Sequence, residues 1–133
     1  MLIEPIEGHE NPLDLISNCL EEALQTAEHN ENDYGFVLNN FMNEFKGKNP
    51  EIMKYLNDTL QIWEVNLVSA LQRGKFNGYV DRHIDCEGVA SYIISSFLGI
   101  RTLMVEGSAT ALRYRYMQQL KFYFRAMAQK QPA

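Results

Sequence analysis

Three histidines, two cysteines and seventeen acidic side chains are the groups of this 133-residue chain best suited to bind a metal or move a proton. Their spacing supports neither. His9, His29 and His83 lie in polar joints or near segment ends, where a histidine is ordinarily a surface residue. Cys19 and Cys86 are too few and too far apart for a metal or disulfide framework, so two reduced thiols are expected. There is no HExxH, no CxxC, no glycine-rich phosphate loop and no nucleophile elbow. The carboxylates spread along faces that read as solvated. No catalytic residue, no metal ligand and no cofactor is therefore expected.

The chemistry that remains is non-covalent. Six methionines, seven phenylalanines, seven tyrosines and one tryptophan can pack a core or line a cavity between helices. The formal net charge of −5 offers nucleic acid no basic surface. No apolar run approaches the roughly 18 residues of a membrane span, so no membrane partner is expected. The acidic, proline-broken start "MLIEPIEGHENP" is unlike a signal peptide, and a cytoplasmic setting follows. The length suits one domain over residues 1–133, able to bury a core without staples.

Helical spacing runs through nearly the whole chain, which predicts an all-α domain, an antiparallel bundle of about five helices. The first segment starts at Pro12 with Asn11 as cap and carries a stripe of Leu13, Ile16, Leu20 and Leu24. The second runs from about 33 to 46. The third begins at "NPE" and carries Met53, Leu56, Leu60, Trp63, Leu67, Ala70 and Gly74 on one seam, until Gly78 stops it. The fourth, capped by Asp85, has two faces. One is broad and apolar, with Val89, Tyr92, Ile93, Phe97 and Met104. The other is a stripe of small residues, Gly88, Ser91, Ser95, Gly99 and Thr102. Such a stripe admits a close helix neighbour, although small residues in solvent give the same pattern. A tight joint at "EGSA" turns the chain into the fifth segment, so the last two helices form an antiparallel hairpin. A second copy of that hairpin would complete a four-helix interface about a twofold axis.

In their order, "YGFVLNNFMNEF", "NPEIMKYLNDTLQIWEVNLVSALQRGKFNGYV" and "DCEGVASYIISSFLGIRTLMVEGS" resemble the C-terminal domain of tetracycline-repressor-like (TetR-family) transcriptional regulators. The resemblance covers residues 11 to 127. It implies a ligand-sensing, homodimerising domain with a small-molecule pocket among the earlier helices and a dimer built from the last two. In that family DNA is read by an N-terminal helix-turn-helix domain. Nothing before residue 11 reads as one, so this chain would touch DNA only through a domain that it does not contain. Pocket candidates are Asn39, Met42, Trp63, Tyr92 and Phe97, although an aromatic at such a position is more often plain core packing. Asn39 falls at the edge of its segment's apolar face, one turn after Gly35, while Asn40 falls nearly opposite. Interface candidates are Ser91, Ser95, Leu98, Gly99, Thr102, Tyr116 and Tyr123. The alternative is a stand-alone interaction module that covers an apolar helix face with a partner protein.

Overall fold

The computed structural model describes residues 10–29, 50–106 and 109–130. Four helices form among them: α1 (Pro12–His29), α2 (Pro50–Phe76), α3 (Cys86–Glu106) and α4 (Ala109–Met127). The all-α class holds, with four helices among the described residues in place of five. The predicted second segment, 33–46, lies outside those residues, as do Asn49 and the joint at 107–108.

Local chemistry explains the described boundaries. Asn11 Oδ1 accepts from the Leu13 amide at 3.0 Å, and Pro12 takes the first helical position, where it has no partner to lose. Asp85 does the same for α3, its Oδ1 accepting from the Gly88 amide at 3.2 Å. Glu51 opens α2, and Arg73 and Lys75 close it, each with the sign that the helix dipole favours. Gly78 ends that helix with φ at +84°, a left-handed conformation that glycine adopts without steric cost.

The N-termini of α1 and α3 and the C-termini of α2 and α4 gather at one end, the base of the bundle. A close approach at Gly74 brings two of them together. A Cβ there would stand 2.6 Å from both Pro12 Cγ and Val80 Cγ2, so only glycine lets α1 meet the turn after α2. Val80 and Ala128 then form an isolated antiparallel bridge, and the Asp81 amide donates to the Met127 carbonyl at 2.9 Å. The Gln129 amide donates to the Tyr79 carbonyl, also at 2.9 Å. These bonds clasp the end of α4 to the chain just before α3.

Between the helices lies one apolar core. α1 supplies Leu13, Ile16, Leu20 and Leu24; α2 supplies Leu56, Trp63, Leu67, Ala70 and Leu71. α3 adds Val89, Ala90, Ile93, Phe97 and Met104, and α4 adds Met117, Leu120, Phe124 and Met127. The predicted seams of α1 and α2 are thus the buried ones. No helix of the described residues is long and apolar enough to cross a membrane.

Candidate functional site

Two regions carry the expected site residues. The first is the interior. Trp63 and Phe97 are fully buried in the middle of α2 and α3 and belong to the same core. Asn39 and Met42 lie outside the described residues. Tyr92 departs from the predicted apolar face: it is 54% exposed, and its ring meets that of Tyr123 edge-on, with centroids 5.0 Å apart. The cause is its angular position. At 100° per residue, Tyr92 falls well over 90° from Phe97, on the flank of α3 that borders α4. The inner face of α3 takes Ala90 and Arg101 instead.

Arg101 has no place in the sequence-based expectations. It is 2% exposed, one turn beyond Phe97, and Arg101 and Ser17 are the buried polar residues of the described chain. A guanidinium inside an apolar core is costly unless it is engaged. Its spacing of four from Phe97 on the apolar face was the signal that could have found it.

The second region is the outer face of the α3–α4 hairpin. Ser91, Ser95, Gly99 and Thr102 are all exposed, and Leu98 is half-buried. A Cβ built on Gly99 meets nothing within 4 Å. Sequence reasoning missed that large apolar side chains share the hairpin's exposure: Leu103 on α3, and Tyr114 and Phe122 on α4. Tyr114, Gln118 and Phe122 step by four along α4, a spacing that shows the same stripe in the sequence.

Tyr116 and Tyr123 are only partly buried and hold the two helices of the hairpin together. The Tyr116 hydroxyl and Ser96 Oγ are 2.9 Å apart, and Ser96 Oγ also donates to the Ile93 carbonyl at 3.1 Å. With the serine proton used in that bond, the phenol is the donor to Ser96. Burial pushes the Tyr116 hydroxyl up to about 12, and Tyr92 adds a little. Burial also raises Tyr123, with smaller contributions from Tyr92 and Asp85. The raised value has a definite sign. From the ordinary tyrosine value of about 10 to about 12, the unfolded chain has lost a proton that folded Tyr116 retains. Stability present below pH 10 is therefore lost as pH rises through that window, by about 2 kcal/mol after allowance for partial exposure. Urea unfolding between pH 9.5 and 11.5 should give a steeper decline for the wild type than for Tyr116→Phe.

Among the described residues no cluster of three His, Cys, Asp or Glu could hold a metal ion, and neither Cys19 nor Cys86 is in a disulfide. The family model described as "Tetracyclin repressor-like, C-terminal domain" matches residues 12–119. The chain belongs to that family. The match begins at the first residue of α1 and ends inside α4, so it takes in α1, α2 and α3 of this TetR-like domain whole. No curated protein and no solved structure matches the chain.

Proposed function

We propose that this TetR-like domain is the ligand-sensing and homodimerising part of a transcriptional regulator. It binds a small apolar or amphipathic effector in its interior and associates through the α3–α4 hairpin. Membership of the family over residues 12–119 is the observation that carries this reading. Two features of the chain support it. The outward face of α3 is small and exposed at Ser91, Ser95, Gly99 and Thr102, which suits a close helix neighbour. The interior carries bulky buried apolar groups, Trp63 and Phe97 among them, which suit the apolar part of a ligand. The effector acts by binding one arrangement of the dimer more tightly than another. DNA is then reached through an N-terminal domain outside this chain.

The alternative reading, a stand-alone interaction module, draws on Tyr55, Ile62 and Val65, which point outward from α2. One experiment separates the two. The chain should sediment at twice 15.4 kDa. A thermal-shift screen of amphipathic compounds should find stabilisation that grows with concentration, about 2.7 kcal/mol at a hundredfold excess over the dissociation constant. A monomer at high micromolar concentration with no responding compound would sink the sensor reading and leave the interaction module.

A further inference from the structure

Two phenol rings meet on the seam between α3 and α4. Tyr92 and Tyr123 lie edge-on, with centroids 5.0 Å apart and ring planes at 65°. An edge-on approach sets the rim carbons of one ring against the other ring. Tyr92 is exposed and Tyr123 partly so, which puts the pair within reach of small solutes.

The backbone on either side of the pair is held. Toward the base, the Val80–Ala128 bridge and the bond from the Asp81 amide to the Met127 carbonyl fasten the start of α3 beside the end of α4. Away from the base, Ser96 Oγ and the Tyr116 hydroxyl join the two helices at 2.9 Å. Between these two fixed points the rings cannot drift apart as tyrosines on separate loops do. Each therefore has the other at a high effective concentration. Rotation of an exposed side chain takes picoseconds to nanoseconds, fast enough to bring the rim carbons into line.

We infer that Tyr92 and Tyr123 are a site of oxidative cross-linking, at which a one-electron oxidant joins them into a dityrosine within one chain. The oxidant takes one electron from each phenol, and each hydroxyl proton leaves to water. The unpaired spin then lies partly on the ring carbons beside the C–O carbon. One such carbon of Tyr92 bonds to its counterpart on Tyr123. Both carbons release their hydrogens as protons and both oxygens regain one, which restores the phenols. In sum, two electrons pass to the oxidant, two protons pass to water, and one C–C bond replaces two C–H bonds. The product staples α3 to α4 across the hairpin. Both partners belong to one chain, so the reaction does not depend on the dimer.

Illuminating the chain with a ruthenium tris-bipyridyl complex and persulfate, which generates a one-electron oxidant, tests the site. Dityrosine fluorescence is expected in the single-chain band of a denaturing gel. Trypsin should release residues 83–101 joined to residues 122–125, lighter than the two peptides together by two hydrogen atoms. Tyr92→Phe and Tyr123→Phe keep the rings, and each should abolish the joined peptide and most of the fluorescence. Tyr114→Phe, which removes an exposed phenol elsewhere on α4, should leave both unchanged. Absence of the joined peptide under illumination that couples free tyrosine amide overturns the inference. So does fluorescence undiminished in Tyr92→Phe, which would place the coupling at other tyrosines, or dityrosine confined to cross-linked pairs of chains.

Discussion

Replacing Trp63 with alanine is expected to destabilise the domain by about 3–5 kcal/mol. The side chain is 0% exposed, and it is the largest of the fully buried groups. It sits midway along α2, the longest described helix, among core residues drawn from all four described helices. Truncation removes the transfer energy of the indole and leaves a void that close-packed neighbours fill only in part. Small domains carry about 5–15 kcal/mol in total, so this one change would consume a large share of the stability. Trp63→Phe keeps most of the volume and should cost much less. Urea unfolding followed by circular dichroism is the measurement, because the chain's single tryptophan fluorophore disappears with the substitution. A loss under about 1 kcal/mol would mean that the neighbours of Trp63 do not form a rigid core.

Gly99→Leu should have the largest effect on association, turning the proposed dimer into a monomer across the micromolar range. The geometry makes this a clean experiment. Gly99 is exposed, and a Cβ there meets nothing within 4 Å, so the isolated chain accommodates the leucine. Leucine is also the better helix former, by about 0.8 kcal/mol. Folding stability of the protomer should therefore hold or rise while the association constant falls by roughly a hundredfold or more, the cost of overpacking close helices. Sedimentation velocity reads the second effect, and thermal unfolding of the monomer reads the first. An unchanged dimer would show that Gly99 does not lie between the two copies.

The helices were legible because their signals are local. Asn11 followed by Pro12, and Asp85 three residues before Gly88, mark helix starts that the capping bonds to their side chains reproduce. The three-four spacing from Leu56 to Gly74 marks a seam whose residues are buried or packed against the core. What periodicity conceals is angle at the margins. Tyr92 and Leu103 count as apolar in any tally of α3, yet they fall on the flank beside α4 and face outward. Arg101 shows the converse, since its charge argues for a surface place and its spacing from Phe97 dictates an inner one. A groove between α1 and α4, lined by Ser17 and Arg125 among others, was illegible for a different reason. Ser17 and Arg125 are far apart in the chain, and only the antiparallel pairing of α1 with α4 brings them together.

The clasp at the base has a mechanical consequence. Because Val80 bridges Ala128 and Asp81 binds Met127, both ends of the α3–α4 hairpin are fastened at one spot. The hairpin is therefore a lever with a fixed fulcrum. It can tilt against α1 and α2, but its two arms cannot slide past each other without breaking the clasp. With α3 21 residues long, the arm is roughly 30 Å, so a tilt of about 5° moves the far end by about 3 Å. Strain introduced near the middle of that arm, beside Phe97 and Arg101, would be delivered as displacement at its tip.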